Sequence, residues 1–429
     1  MRSFDMESDE VPDLLKIPRP LQEIYFDAAE QEAERLLKRI GGIDKLVEHI
    51  RGELSRGISR APLRGEWRDM SIAVVDGSDT PVVSERIGVR YGLYAAAYKL
   101  FHGIEPLKNN ENYVGNYLNE QIHENEEVFV KVLDLVTTYL ERTLAKKLLE
   151  SGELSVDLLI IDGSFLGYRT RCSLVKEQRI DFTEPLTNRH FETVFDLISE
   201  INKLTEYIAD SGRAVGIIKR VPTRAIDGYM MYKRTDKKGL NLSDRAILSL
   251  VMDVGEVFSY GRYLGADEKV DAFSLYRSVS RDPKVRGKSP DDVLREAERR
   301  VNVQLTADLT RRGSRRGRGG PISSSIVKLA RRMKRFYIRT VKNLPPICID
   351  VPSSVSEDLL ENVFSYCLET ASPSTGLPMS LDLVDALVSL PRGLARDFAN
   401  EVEALLLRRG ADVSRLRILF SRYNPQKDE

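Results

Sequence analysis

Short, uninterrupted runs of apolar residues recur along the chain and predict buried β-strands. They cover residues 71–76, 157–162, 214–219 and 346–351. Each run is rich in Val and Ile and ends at polar or glycine residues, as is typical of strands buried on both faces. These runs predict a central sheet.

Between these runs, apolar residues recur every three or four positions, which predicts amphipathic helices. The pattern covers residues 20–55, interrupted by a Gly-Gly pair, and residues 113–151. It predicts further helices at residues 190–211, 243–254, 290–310, 325–336, 355–370, 380–390 and 393–408. Residues 86–101 predict one or two more strands, and residues 416–420 predict a last one. Strands that alternate with helices indicate an α/β fold.

The order of these elements predicts two parts of unequal size. Residues 1–65 form a helical N-terminal arm, and residues 66–429 form an α/β domain with helical insertions in its less regular middle. The apolar stripe of the arm makes it a candidate dimer interface.

Charge is balanced over the 429 residues, with 65 Lys and Arg against 65 Asp and Glu, so overall charge indicates no partner. One basic insertion, residues 311–342, contains 12 Lys or Arg and no Asp or Glu. Such a segment either binds a nucleic-acid backbone or is a solvated loop and surface helix. The DNA-binding candidates are Arg311, Arg312, Arg315, Arg316, Arg318, Lys328, Arg331 and Arg332.

Cysteine and histidine usage excludes several classes of site. The three cysteines form no CxxC pair, so neither a zinc ribbon nor a disulfide framework is predicted. The four histidines form no HExxH motif, which excludes a zincin. The sequence shows neither a signal peptide nor an apolar run long enough to span a membrane. We therefore expect a soluble, cytoplasmic protein.

The tripeptide Asp-Gly-Ser follows two of the apolar runs, beginning at Asp76 and at Asp162. A strand fixes the position of an Asp at its end, and the following Gly allows a sharp turn. On neighbouring strands, two such carboxylates would form an oxygen-rich site that suits Mg²⁺ or Mn²⁺. Two-metal carboxylate sites typically catalyse phosphoryl transfer. Asp-Gly is also typical of hairpin turns, so the motifs alone leave that alternative open.

Two further charged residues are candidates for the same site. Glu141, on the helix before the second Asp-Gly-Ser strand, would supply a third carboxylate, although a helical Glu is usually a solvated charge. Lys219, at the end of the third apolar run, would contact a scissile phosphate. Without a metal site, Lys219 is an ordinary charged strand end.

Four segments in order resemble the NurA nucleases, namely VVDGS with RYGLYAAAYKL, LLIIDGSFLG, VGIIKR and GLPMSLDLVDAL. The resemblance runs from about Ile72 to Tyr423 and implies an RNase H-like mixed-sheet core. It implies a Mn²⁺- or Mg²⁺-dependent DNA nuclease, with 5′ to 3′ exonuclease and single-strand endonuclease activity. It further implies a homodimer that works in DNA double-strand-break end resection with a HerA-type hexameric ATPase and the Mre11–Rad50 machinery.

The resemblance also assigns roles to individual residues. By motif match, it implies that the catalytic residues are Asp76, Glu141, Asp162 and Lys219, of which the three acids are metal ligands. The family's late segment carries a His that joins the metal site, and here that position is Asp385. A carboxylate can replace imidazole as a ligand of Mg²⁺ or Mn²⁺. Asp385 is therefore the fourth candidate ligand, with Asp382 one helical turn earlier as a rival.

The candidate metal site together with the family resemblance predicts a metal-dependent deoxyribonuclease that hydrolyses phosphodiester bonds. Two other functions stay open. Because the late segment departs from the family pattern, the protein could be a catalytically weakened adaptor that docks DNA or the ATPase. A metal-dependent phosphatase of small substrates is the third hypothesis, and the basic insertion argues against it.

Overall fold

The structure, a computed structural model, describes residues 13–40, 43–120, 125–151, 155–233, 239–307 and 321–423. In these residues the helices are α1 (Asp13–Lys16), α2 (Arg19–Ile40), α3 (Ile43–Leu54), α4 (Glu126–Glu150), α5 (Arg169–Val175), α6 (Val194–Asp210), α7 (Ala225–Lys233), α8 (Asp244–Val251), α9 (Tyr260–Leu264), α10 (Val270–Ser280), α11 (Pro290–Ala307), α12 (Pro321–Arg331), α13 (Glu357–Glu369), α14 (Met379–Val388), α15 (Leu394–Arg408) and α16 (Val413–Leu419). The strands are β1 (Ile58–Arg60), β2 (Ser71–Asp79), β3 (Ser84–Glu85), β4 (Arg90–His102), β5 (Glu105–Glu120), β6 (Leu158–Asp162), β7 (Arg179–Thr183), β8 (His190–Thr193), β9 (Ala214–Ile218), β10 (Glu256–Ser259), β11 (Met333–Ile338) and β12 (Ile347–Pro352).

The chain divides into two compact units, Met1–Ser55 and Arg56–Glu429. Helices α1 to α3 make up the described part of the first unit, in agreement with the predicted helical pattern. The second unit begins earlier than the predicted boundary at residue 65, because β1 pairs with β10 in the large sheet. The assignment of residues 1–65 as one arm stays a prediction.

A mixed sheet of ten strands organises the second unit. The strand order is β1-β10-β11-β12-β9-β6-β2-β4, and both β3 and β5 pair with β4. Strands β2, β6 and β9 are parallel to one another, whereas β4 and β5 form an antiparallel hairpin beside β2. The order β5-β4-β2-β6-β9, with α4 between β5 and β6 in the chain, is the RNase H-like arrangement. The α/β mixed-sheet core expected from the sequence is therefore confirmed.

The central strands are buried between two helical layers. Along β2, Ala73 and Val75 belong to an apolar cluster that contains residues of α4 and α6. The alternate residues Ile72 and Val74 belong to a second cluster with residues of α13 and α14. Successive strand side chains point to opposite faces, so a continuous apolar run is required where both faces are covered. This burial holds the ends of β2, β6 and β9 in fixed positions.

Four of the predicted elements differ from the structure. Residues 113–120 belong to β5, which pairs with β4 along its length, and the helix α4 starts only at Glu126, after the capping residue Asn125. Residues 190–193 are the strand β8, which pairs with β7 before α6 begins. The predicted helix 325–336 ends at Arg331, because residues 333–338 pair between β10 and β12. Residues 416–419 are helical in α16, not a strand; the Asp412 side chain accepts the Arg415 N–H at its start.

No helix within the described ranges combines the length and the apolar character that crossing a membrane requires.

Candidate metal centre

Parallel pairing of β2 with β6 brings the two Asp-Gly-Ser motifs side by side. Val75 lies opposite Ile161 in the register, so the next residue on each strand is the motif aspartate. Gly163, which follows Asp162, has a φ of +106° in the region that favours glycine, and the chain turns away from the sheet there. Asp76 is buried and Asp162 is half-buried.

Asp385 joins these two aspartates from another part of the fold. Helix α14 packs against β2 and β4, and one carboxylate oxygen each from Asp76, Asp162 and Asp385 lie within 4.8 Å of one another. The rival Asp382 instead accepts a hydrogen bond from Thr375 Oγ1 at 2.6 Å. Three clustered carboxylates are a donor set that suits a hard divalent cation.

Glu141 lies beside this cluster on α4 and is buried. Its Oε1 accepts a hydrogen bond from Arg142 Nη1 at 2.7 Å. Its Oε2 lies 3.5 Å from the position that a Cβ on Gly77 would occupy. A Cβ at Gly77 would also lie 2.9 Å from Thr137 Cγ2, so the absence of a side chain there permits α4 to approach β2 closely.

Lys219 follows β9 and bridges two members of the cluster. Its Nζ lies 2.6 Å from Asp162 Oδ2 and 2.5 Å from Asp385 Oδ1. Because β9 is parallel to β6 and pairs with it, the residue after β9 emerges at the same edge of the sheet as Asp162. The ammonium partly neutralises the carboxylates.

Burial and mutual repulsion perturb the acids of the site. Burial, followed by the charges of Asp162 and Glu141, raises the pKa of Asp76 to about 9. Burial raises the pKa of Asp162 above its ordinary value, although Lys219 acts to lower it. Burial also raises the pKa of Glu141 to about 7. The pKa of Lys219 is raised, because the attraction of the carboxylates, led by Asp162, outweighs the lowering effect of its own burial. The neutral forms of these acids are thus favoured without metal, and a divalent cation would favour their charged forms.

The acids line a cavity of about 1010 Å³. Asp76, Glu141 and Asp162 contribute to its wall. Arginines from several elements line it as well, namely Arg142, Arg169, Arg171, Arg220 and Arg335. Guanidinium groups are suited to binding phosphate oxygens. The cavity therefore combines candidate metal ligands with guanidinium groups, most of which are paired within the protein.

A second charged network in this cavity was not predicted from the sequence. Asp350 is buried on β12 and accepts hydrogen bonds from Arg335 Nε at 2.6 Å and Nη2 at 3.2 Å. Ser164 Oγ donates to Asp350 Oδ2 at 2.5 Å. The sequence does contain a sign of this network, which is the Asp inside the fourth apolar run. A carboxylate in a buried strand requires a charged or hydrogen-bonding partner.

Only some of the candidate DNA-binding residues belong to the part of the chain that the structure describes. Arg311, Arg312, Arg315, Arg316 and Arg318 lie outside the described residues. Lys328 and Arg331 are exposed on α12, and Arg332 is exposed immediately after it. On the other side of α12, Ile326 and Leu329 are buried in the apolar cluster shared with α4 and α6. The helix is therefore amphipathic, with a basic outer surface.

Helices α11 and α12 both reach the cavity. Leu305, near the end of α11, and Ala330, near the end of α12, contribute to its wall. The residues that connect the two helices include the Arg-Gly-rich part of the basic insertion.

Comparisons with known proteins agree with this architecture. The sequence model of the NurA domain matches residues 70–390. The fold is similar to the crystal structure of the NurA nuclease from Sulfolobus solfataricus, at 13% identity and a TM-score of 0.52, over 92% of this chain and 99% of that chain. A crystal structure of NurA bound to dAMP and manganese is matched at 12% identity and a TM-score of 0.48, over 92% and 99%. No curated protein matches the chain by sequence. Because the domain match covers well over half of the sequence, this chain belongs to the NurA family.

Proposed function

We propose that this protein is a divalent-metal-dependent DNA nuclease. The observation that carries the proposal is the group of three carboxylates, Asp76, Asp162 and Asp385, whose oxygens lie within 4.8 Å of one another. Membership of the NurA family and the fold shared with a NurA nuclease support it.

The three aspartates would hold Mn²⁺ or Mg²⁺, with Glu141 as a further ligand. Carboxylate oxygens fit both ions. Burial and, after it, the charges of Asp162 and Glu141 raise the pKa of Asp76, and a bound cation would favour the charged form of this acid. A metal held by these residues would supply an activated water and would stabilise the leaving 3′-oxygen. A solved NurA binds dAMP and manganese, which supports this choice of ion and substrate class.

The cationic residues would bind and orient the DNA. Lys219 already lies among the acids, and its ammonium would contact the scissile phosphate. Arg220, which is exposed and lines the same cavity, would bind a neighbouring phosphate, and the basic insertion with Lys328, Arg331 and Arg332 would follow the backbone outside. This binding would be independent of sequence and sensitive to salt.

The site within a cavity favours single strands and frayed ends as substrates, because a strand must enter the cavity to reach the acids. We propose exonuclease and single-strand endonuclease activities on such substrates, with the 5′ to 3′ polarity that the family resemblance implies. In the cell we propose a cytoplasmic homodimer that acts in end resection with a HerA-type ATPase and the Mre11–Rad50 machinery.

One observation favours the adaptor hypothesis as a second candidate. Asp385 stands where the resemblance implies a His, and it is paired with Lys219. If the lysine ammonium serves as the permanent counterion of this cluster, it takes the place of the metal ion. The protein would then bind DNA without cleaving it.

The decisive experiment incubates the full chain with end-labelled single- and double-stranded DNA in Mn²⁺, Mg²⁺ or EDTA. Asp162→Asn is compared with the matched control Asp181→Asn, which alters an exposed aspartate on β7. Metal-dependent cleavage that Asp162→Asn abolishes and Asp181→Asn retains is the expected result. Salt-sensitive DNA binding without cleavage in any metal would support the adaptor. Hydrolysis of p-nitrophenyl phosphate without DNA cleavage would support a phosphatase.

A further inference from the structure

Arg142 is buried on α4, immediately after Glu141, and contacts two separate segments. Its Nη1 donates to Glu141 Oε1 at 2.7 Å. Its Nη2 donates to the backbone carbonyl of Ser164 at 3.2 Å. One guanidinium group therefore joins α4 to the turn that follows Asp162.

These contacts give Glu141 a defined orientation. Arg142 holds Oε1, while Oε2 lies next to Gly77, the residue directly after Asp76. An arginine N–H constrains a carboxylate more strongly than a neutral donor does, because the hydrogen bond is charge-assisted. Glu141 thus places Oε1 against Arg142 and Oε2 beside Gly77, the neighbour of Asp76 in the chain.

The guanidinium group also contacts an aromatic ring next to the turn. It lies over the ring of Phe165, with Cζ 5.7 Å from the ring centroid. Ser164, which accepts from Arg142 through its carbonyl, donates through its hydroxyl to Asp350. Asp350 is paired in turn with Arg335 on the neighbouring strand β11. The turn after Asp162 is therefore tied to the sheet independently of Arg142.

We propose that Arg142 is a positioning residue for the metal centre, an inference that rests on the proposed nuclease function. It holds one oxygen of Glu141 while the other lies beside Gly77, and its bond to the Ser164 carbonyl ties α4 to the turn after Asp162. Arg142 acts through Glu141 and touches no substrate in this role. A lysine at this position would keep the charge but lose the planar fork that serves two acceptors at once.

The test measures Mn²⁺ affinity of the full chain by electron paramagnetic resonance of free Mn²⁺. We expect Arg142→Lys to lower the affinity about 10-fold, the size of effect typical of partners that orient metal ligands. Arg142→Gln should lower it at least as much. In a Glu141→Gln background, adding Arg142→Gln should change the Mn²⁺ affinity less than about twofold. The two residues act through one contact, so the effects of the two substitutions on affinity do not add.

Steady-state cleavage of single-stranded DNA separates positioning from DNA binding. Arg142→Lys should lower kcat about 10-fold at fixed Mn²⁺ and leave KM for DNA within about twofold, because the ligand geometry and not the DNA contact has changed. Arg171→Lys is the matched control, since Arg171 lines the same cavity but pairs with Asp134 instead. Its Mn²⁺ affinity should equal that of the wild type.

Thermal unfolding in EDTA identifies variants that fail to fold, and Arg142→Lys is the variant least exposed to that risk. A folded Arg142→Lys protein that binds Mn²⁺ as the wild type does would overturn the inference, and so would an equal loss in Arg171→Lys. If either result is found while the wild type binds Mn²⁺ and cleaves DNA, the proposed nuclease function holds and only the positioning role of Arg142 is refuted. A wild type that binds no Mn²⁺ overturns both.

Discussion

Lys219 Nζ lies 2.5 Å from Asp385 Oδ1, although the two residues are 166 positions apart in the chain. The same ammonium lies 2.6 Å from Asp162 Oδ2. It therefore carries positive charge at the place where a divalent ion would bind. Lysine and metal would compete for the same oxygens unless the lysine moves to a phosphate.

Removing this ammonium should favour metal binding and impair catalysis. We expect Lys219→Met to bind Mn²⁺ roughly 10-fold more tightly, equivalent to about 1.4 kcal/mol of lost repulsion. Its kcat should fall about 100-fold, because a charge that stabilises the reacting phosphate is lost. Lys131→Met, which removes a lysine paired with Glu127 on α4, is the control. Unchanged or weaker Mn²⁺ binding in Lys219→Met would contradict the competition.

Two aspartates of α14 provide an internal comparison. Asp385→Asn should lower both Mn²⁺ affinity and cleavage at least about 10-fold, because it removes one of the clustered carboxylates. Asp382→Asn should leave both within about twofold, since Asp382 bonds Thr375 outside the cluster. Calorimetric titration with Mn²⁺ and a cleavage assay test the pair. The reverse ranking would show that the other aspartate is the ligand.

Replacing Asp385 by the residue that the family resemblance implies should change metal preference. Asp385→His should keep Mn²⁺-supported cleavage but lose more of the Mg²⁺-supported cleavage, because Mg²⁺ prefers oxygen ligands and imidazole suits transition metals. The measurement is the ratio of kcat with Mn²⁺ to kcat with Mg²⁺. An unchanged ratio would argue that residue 385 does not contact the metal.

Stability without metal should depend on pH through Asp76. The folded protein keeps a proton on this residue up to about pH 9, whereas an unfolded Asp releases it near 3.8. Between these values the folded state binds more protons, so the free energy of unfolding falls as pH rises. Asp76→Asn has no titratable carboxyl group at this position. The Tm of Asp76→Asn minus the Tm of the wild type, both measured in EDTA, should therefore increase with pH.

Thermal scans from pH 5 to pH 9 test this dependence, with Asp181→Asn as an exposed control. Saturating Mn²⁺ should reverse the trend for the wild type, because metal ligands must be deprotonated. Parallel curves of Tm against pH for Asp76→Asn and wild type in EDTA would refute the assignment.

The sequence alone predicts the centre of the sheet and the two motif aspartates. Asp76 and Asp162 each end a fully apolar run, and parallel neighbours place such ends together. Residues 113–120, the last part of β5, differ from the predicted helix because their many polar residues fit neither period well, and pairing with β4 decides their conformation. The orientation of Arg142 depends on contacts with Ser164 and Phe165 that no local pattern reveals.

The centre is assembled from segments that lie far apart in the chain. Asp76 and Asp162 come from early strands, while Asp385 comes from α14, after the helical insertions and β12 have been added. During synthesis from the N-terminus, the first two acids emerge long before the third. A growing chain on the ribosome would thus lack a complete centre until translation has passed α14. The architecture itself thus makes the metal centre a late product of synthesis, completed only after α14 has followed all the strands of the sheet.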